Sequence, residues 1–568
     1  MHIHIVPNRN SAPAALLRES YREGKTVRKR TLANLSALPM DQIEAIRLIL
    51  KGQRLAPVDT LFDVTATRHH GHVHAVRLAM KRLGFDNLLA SRSCRERDLV
   101  VAMVASRILD PDSKLATVRR WRTSTLAEDL SVGGASEDEL YEAMDWLVER
   151  QAKIEARLAA RHLDQDGLAL FDLSSSYFEG VTCPLAALGH SRDGKRGTLQ
   201  VNYGLLTSRG GCPVSIEAYP GNTSDATTLL PYVTKIKQQF GISSFVIVGD
   251  RGMISQKQIV ALKELDGIDW IGALKTPAIR ALLEEGAIQP GLFDERNLME
   301  LRHSDYPGER LMVCRNALMA DRRARTRQSL LDATGAELLK VQQQVARGTL
   351  HGKDRIGVRV GRVVNKYKVA KHFILQVDEA QFAFPRDEAS IAAETALDGF
   401  YVIRTSLSAQ RMSTEDAVLS YKSLSDVERA FRSVKTVDLQ VRPIYHRLEE
   451  RVRAHLFVCM LAYYVEWHMR EAWRELMFAD EDQQAKTSRD PVVPARRSAK
   501  ALSKVHSRRL EDGTEAHSFG TLLDELRTIA RSTCRRKGAS EAEPGFTLET
   551  TPNAKQQKAL DLLQKIRM

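Results

Sequence analysis

The stretch Tyr421-Lys-Ser-Leu-Ser-Asp-Val-Glu428-Arg-Ala-Phe-Arg432-Ser-Val-Lys435 puts an aromatic, a carboxylate and a cation at helical spacing. At about 100° per residue, Tyr421, Leu424, Glu428 and Lys435 share an arc of roughly 60°, a helix face built to meet something charged. A solvated helix with ordinary surface charges is the plainer reading of that run taken alone. Two other acids change the weighing. Asp172 closes the apolar run Leu168-Ala-Leu-Phe171, and Asp250 follows Ser244-Phe-Val-Ile-Val-Gly249. Both runs have the composition of strands from the middle of a sheet. A carboxylate placed there is costly unless it binds a cation or caps a helix. Capping is a competing role for Asp250, a few residues ahead of a helix, whereas Leu-Ser-Ser-Ser-Tyr after Asp172 starts no clear helix.

Three carboxylates are hard oxygen ligands of the kind that Mg²⁺ or Mn²⁺ takes. Two such ions about 4 Å apart activate an attacking oxygen and stabilise a leaving one, which is what phosphodiester chemistry requires. Asp172, Asp250 and Glu428 are therefore the candidate catalytic and metal-binding residues. Arg432 and Lys435, one and two turns beyond Glu428, are expected to meet DNA phosphates, as is Lys275 just after a strand; Tyr421 is expected to contact DNA, and His446 to touch DNA or a carboxylate. His455, inside an apolar helix, reads as structural. Asp225 in Asn222-Thr-Ser-Asp225 reads as a helix cap rather than a fourth acid.

To bring these acids together the chain needs a mixed sheet. Strands are predicted at Leu168–Phe171, Leu199–Leu206, Val214–Tyr219, Ser244–Val248 and Ile268–Ala273, the second and third joined by a hairpin turn at Ser208–Gly211. Helices are predicted from Asp225 and over Ser255–Glu264, so that the sheet is covered on both faces. Residues 276–398 interrupt this layout with a polar helix over Asp321–Arg347 and strands at Gly357–Lys366, Phe373–Val377 and Phe382–Phe384. A strand at Phe400–Arg404 and the cap Ser413-Thr-Glu-Asp416 then lead into the Glu428 helix. The expected organisation is a basic segment over 1–60, a helical DNA-binding region over 61–165, the core over 166–275 and 399–477 on either side of the insertion at 276–398, and a linker and tail over 478–568. Within 61–165, the helix ending at Leu109, the break Asp110-Pro-Asp-Ser113 and the basic helix to Trp121 read either as a DNA-reading helix-turn-helix or as a plain helical hairpin.

A net charge of +13, clustered near residues 22–30, 322–327 and 496–537, favours a long polyanionic partner. The six cysteines form no C-x-x-C pair and have no matching histidine spacing, so neither a zinc site nor a disulfide framework is indicated. The run Ala454–Trp467 is too short and too interrupted to span a bilayer, and the N-terminus lacks signal-peptide architecture. A cytoplasmic protein with no membrane partner is expected.

Phe171-Asp172-Leu-Ser-Ser-Ser-Tyr-Phe178, Gly249-Asp250-Arg-Gly-Met-Ile-Ser255 and the run from Tyr421 to Lys435 resemble the three acidic motifs of bacterial insertion-sequence transposases of the DDE type. The similar group is the one whose third motif reads Y-x2-R-x3-E-x6-K and whose ribonuclease-H-like core is split by a β-strand insertion. Tyr421, Glu428 and Lys435 fit that spacing; the arginine position is Leu424, a departure. Gly221–Asp225, Arg442–His446, Arg451–His455 and Ser20–Leu35 are further similar stretches. The resemblance implies a five-stranded ribonuclease-H-like sheet with a β-rich insertion, two Mg²⁺ or Mn²⁺ ions, cleavage at terminal inverted repeats, strand transfer into target double-stranded DNA, and at least a dimer on bacterial, nucleoid-associated DNA. Some relatives pass through a DNA hairpin and hold a flipped base with a tryptophan from the insertion. No tryptophan lies in 276–396 here, which leaves Phe382, Phe384 or Tyr306 for stacking. A structure-specific nuclease of the same fold and a non-catalytic DNA-binding descendant are the alternatives.

Overall fold

The computed structural model describes residues 1–568 apart from 9–11, 54, 56–60, 290–292, 484–488, 541, 542 and 568. It divides into a smaller unit, Met1–Arg68 with Ile529–Thr551, and a larger one, His69–Thr528 with Pro552–Met568. In the smaller unit β1 (His2–Val6), β2 (Ala14–Glu23) and β3 (Thr26–Asn34) form an antiparallel sheet in that order, followed by α1 (Met40–Leu50). The basic run over residues 21–31 forms the β2–β3 hairpin, with Tyr21 opposite Arg28 and Arg22 opposite Val27. β3 is exposed along its whole length. β4 (Phe62–His69) pairs with the returning strand Ala530–Arg536, which pairs with Phe546–Glu549.

The larger unit opens with seven helices: α2 (Gly71–Arg82), α3 (Phe85–Leu89), α4 (Arg95–Leu109), α5 (Lys114–Arg120), α6 (Leu126–Asp129), α7 (Glu137–Val148) and α8 (Gln151–His162). α4 is buried from Leu99 to Ile108 and packs on α7 and on the apolar helix Glu449–Ala472. The Trp121 indole just after α5 donates to Ser106 Oγ of α4 at 2.8 Å. The pair α4–α5 is thus a hairpin packed into the core, with Arg119, Arg120 and Arg122 left on its surface.

Next come β5 (Leu168–Tyr177), β6 (Gln200–Ser208), β7 (Pro213–Pro220), α9 (Asp225–Phe240), β8 (Phe245–Val248), α10 (Gln256–Lys263) and β9 (Ile268–Ala273). β5, β6 and β7 pair antiparallel, while β5 with β8 and β8 with β9 pair parallel, giving the order β9-β8-β5-β6-β7 expected of a ribonuclease-H-like core. The apolar runs are buried because helices cover the sheet, as their composition requires. At Gly204 in β6 a Cβ would come within 2.7 Å of the Phe171 ring, so glycine lets the aromatic lie flat across its neighbour strand.

The insertion departs from expectation in two ways. It supplies α11 (Thr276–Glu284), β10 (Leu298–Leu301), β11 (Arg310–Arg315), α12 (Ala317–Ala346), α13 (Lys353–Tyr367), the short ribbon β12 (Gln376–Val377) with β13 (Phe382–Ala383), and α14 (Glu388–Thr395). β10 and β11 do not stand apart: with β14 (Phe400–Thr405) they extend the sheet beyond β9 to eight strands, in the order β10-β11-β14-β9. And residues 357–366, rich in valine and predicted as a strand, are helix. Ile356, Val360 and Val364 recur every four residues and bury against Leu331, Leu338 and Val341 of α12, so the 3.6-residue period overrides the β-propensity of valine.

After β14 come α15 (Thr414–Lys422), capped by Ser413, which accepts the Asp416 N–H at 3.0 Å, then α16 (Leu424–Arg432), then α17 (Glu449–Ala472), the buried apolar helix. The C-terminal residues are not a loose tail. The helix Ala554–Gln564 is capped by Asn553, buries Leu560 and Leu563, packs on α2, and accepts the Trp473 indole N–H at the Ala559 carbonyl at 2.9 Å.

Candidate active site

Strand register sets the first two acids. In the parallel pair β5–β8, Leu168 stands opposite Val246 and Leu170 opposite Val248. Two residues further, where the strands part, Asp172 and Asp250 come level, in the crevice at strand carboxyl ends where open sheets bind ligands. Asp172 is not the end of its strand, because the antiparallel partner β6 carries β5 on to Tyr177. Its Oδ1 accepts the Leu173 N–H at 2.8 Å. Asp250 Oδ1 accepts the N–H groups of Gly252 and Met253 at 2.9 and 2.8 Å, an Asx-type turn rather than a helix cap. Ser255 holds the N-cap position of α10.

Glu428 comes from α16, whose apolar side, Val427, Ala430 and Phe431, is buried against β5 and β6. Phe431 meets the Tyr203 ring edge-on at 5.8 Å. The opposite side leaves Glu428 exposed to a cleft of about 1700 Å³ that Asp172, Asp250, Tyr421 and Leu424 also line. Electrostatics reports the same convergence. Burial pushes Asp172 up to about 7, the charges of Asp250 and Glu428 adding to it while the Leu173 N–H and Arg192 oppose it. Burial and the three carboxylates raise the Tyr421 hydroxyl to about 12. Arg209, Arg251, Arg323 and Arg429 line the same cleft.

The remaining sequence-predicted residues are split. Arg432 is exposed at the end of α16, and Lys275 is exposed at the N-cap of α11. Lys435 does not share the Glu428 face: the chain passes into a π-helical turn over Ser433–Val437, and its longer repeat shifts the phase of the helix. Lys435 is buried there and donates to Asp193 at 3.1 Å. Asp193 also pairs with Arg442 and accepts the Tyr177 N–H at 3.1 Å. Ser433 fixes the turn from the other side by donating to the buried Glu466 at 2.8 Å. His446 is packed against Tyr141 and His455, and burial drives it down to about 3, with Lys114, Arg107 and Arg451 adding to the effect; it is a neutral ring among cations, not a phosphate contact. His455 bonds the Val441 carbonyl at 3.0 Å, the structural role expected. Asp225 is the first residue of α9, Ser224 is its N-cap residue, and the Asp225 carboxylate pairs with Arg192. Phe382 is buried in the insertion's own core with Phe384 stacked on it, and Tyr306 lies under Arg404.

Sequence reasoning missed Asp193 and Arg192. Their signal was a short charged loop, Ser191-Arg-Asp-Gly-Lys-Arg196, which resembles any solvated turn.

Residues 186–465 match the family model of the transposase DDE domain, and residues 3–58 match that of the N-terminal domain of IS1634 family transposases. The chain belongs to the DDE transposases. The DDE match takes in Asp193, Asp250, Glu428 and Lys435 and begins just beyond Asp172. Among solved structures the transposase is similar to the piggyBac transposase synaptic complex with hairpin DNA, at 9% identity over 80% of this chain and 77% of that one, with a TM-score of 0.36. It is also similar to the Mos1 transposase paired-end complex with the left transposon end, at 12% identity over 32% of this chain and 59% of that one, with a TM-score of 0.14. At these scores neither likeness bears on the fold or the chemistry. Comparison with curated proteins gives no match. Among the described residues no helix is long and apolar enough to cross a membrane.

Proposed function

We propose that Asp172, Asp250 and Glu428 are the acids with which this transposase cuts DNA at the terminal inverted repeats of its element and joins the freed 3′-hydroxyl to target DNA. The observation that carries the reading is the meeting of three carboxylates, from β5, the β8 end and α16, in one cleft lined with arginines. The donor set fits Mg²⁺ or Mn²⁺: all oxygen, all carboxylate, with burial first and the Asp250 and Glu428 charges second raising Asp172, a cost that a cation would relieve. Two divalent ions bound there supply activation of the attacking oxygen and charge neutralisation at the leaving oxygen. The protein's own part is positional. The backbone N–H groups bonded to Asp172 and Asp250 fix the orientation of both carboxylates, and α16 carries Glu428 on a rigid, buried seam. Arg432, Lys275 and the cleft arginines hold DNA phosphates, which orients the scissile bond without reading sequence. Two ends must be cut and joined together, so the working form is at least a dimer, acting on cytoplasmic, nucleoid-associated DNA.

The test uses the purified chain, Mg²⁺ or Mn²⁺, and DNA carrying the repeats that flank its gene, with Asp250→Ala in parallel. Metal-dependent nicking at the repeat ends, absent from Asp250→Ala, is the expected result. Specific binding by the wild type without nicking would make the three-acid assignment wrong.

A further inference from the structure

Three side chains far apart in sequence meet in the larger unit away from the acids. His162 is the last residue of α8, Cys212 follows the β6–β7 turn, and His468 lies near the end of α17. One ligand atom from each lies within 4.8 Å of the others. Cys212 Sγ is 3.9 Å from His468 Nε2, and the two imidazole centroids are 5.5 Å apart. In a tetrahedral zinc site, with bonds of about 2.3 Å to sulfur and about 2.1 Å to nitrogen, the two ligand atoms sit roughly 3.6 Å apart. The Cys212–His468 separation needs only a few tenths of an ångström of closure, and His162, whose ligand atom lies within 4.8 Å of the other two, closes by up to about 1.4 Å.

The surroundings suit a cation that takes soft and borderline donors. Cys212 is buried, and His162 and His468 are half-buried. The edge of Trp467 packs on His468 at 4.8 Å, and the Tyr464 hydroxyl, 3.2 Å from His162 Nε2, borders the group. Burial, with the Glu471 charge adding to it, raises the Cys212 thiol well above its ordinary value, so the thiol keeps its proton until a cation displaces it. Nitrogen and sulfur donors exclude Mg²⁺ and Mn²⁺ in favour of zinc.

The position gives such an ion a task. Gly211, at φ +82°, packs so tightly on Asp426 of α16 that a Cβ would lie 3.0 Å from the Asp426 Cβ, and the Gly210 carbonyl accepts the Trp467 indole N–H at 3.3 Å. The β6–β7 turn is thereby held between the helix carrying Glu428 and α17. We propose that His162, Cys212 and His468 form a structural zinc(II) site that clamps this turn to α8 and α17. On binding, Cys212 gives up its thiol proton to solvent and ligates as thiolate, with water or the Tyr464 hydroxyl in the fourth position.

The test is metal analysis of the full chain, produced without a polyhistidine tag in zinc-replete medium. About one tightly held zinc per chain is expected, falling about tenfold or more in Cys212→Ser and in His468→Ala. Cobalt(II) in place of zinc should give a thiolate-to-metal charge-transfer band that Cys212→Ser abolishes. Because that band is read on the wild type, it remains decisive if the variants fold poorly. Asp250→Ala should keep its zinc. The proposal is overturned by wild type that holds no more zinc than the Cys212→Ser/His468→Ala double variant, by a cobalt form without the thiolate band, or by zinc lost in Asp250→Ala and kept in Cys212→Ser.

Discussion

The acids of the cleft and the His162–Cys212–His468 group are both sets of donors, and their environments differ in the way that separates a catalytic cation from a structural one. Asp172, Asp250 and Glu428 are all oxygen and face a wide cleft, and the charges of the last two add to the burial that raises Asp172. The other group is nitrogen and sulfur, largely buried, and neutral as it stands. An open, mutually repelling set gains by exchanging ions and substrate phosphate. A closed neutral set gains by holding one ion and exchanging nothing. Solvent access and donor softness, rather than the number of ligands, distinguish the two.

The largest effect that sharpens this contrast is expected from Glu428→Gln, which keeps shape and removes one charge. Nicking should fall about a thousandfold, equivalent to about 4 kcal/mol of transition-state stabilisation, with no loss of thermal stability. Full activity in that variant would dissolve the distinction. Next comes Asp193→Ala, which leaves the buried Lys435 and the half-buried Arg442 without their carboxylate. A stability loss of about 3 kcal/mol in urea titration is expected, and an unchanged midpoint would mean that the two cations find water.

A smaller effect concerns pH. Burial holds His72 and His446 at about 3, below their unfolded value near 6.5, so the unfolded chain takes up these protons first on acidification. Their contribution is intact above pH 6.5 and is lost as pH falls, at about 1.4 kcal/mol per pH unit for each histidine. Denaturant midpoints measured between pH 7 and 5 should decline, and His446→Gln should make the slope shallower by one histidine's share. Smallest is Arg432→Ala at the exposed end of α16. It should lower the salt dependence of DNA binding by about one counterion while leaving the rate at saturating DNA nearly intact. Lys435→Ala, by contrast, should cost stability and leave that slope unchanged, since Lys435 is engaged with Asp193.

How much was legible follows from the range of each signal. β9 at Ile268–Ala273 and the α15 cap at Ser413 could be read because composition and capping chemistry are local. α13 was misread because valine's β-propensity outweighed a four-residue seam that only packing on α12 makes visible. Helical spacing puts Lys435 on the Glu428 face only in an unbroken helix, and the π-helical turn after Arg432 shifts it off. The cysteines were set aside for want of metal-ligand spacing, a rule that cannot see donors brought together by three separate elements.

By itself, the amino-acid sequence determined the strand runs of the core and singled out three candidate acids in their order, because burial periodicity and a carboxylate after an apolar run are properties of neighbouring residues. Only the tertiary structure decided that β10, β11 and β14 extend the sheet, that Asp193 rather than DNA receives Lys435, and that His162, Cys212 and His468 meet. Those contacts join residues remote along the chain, and their energies exist only once strand register and helix packing have closed the intervening loops.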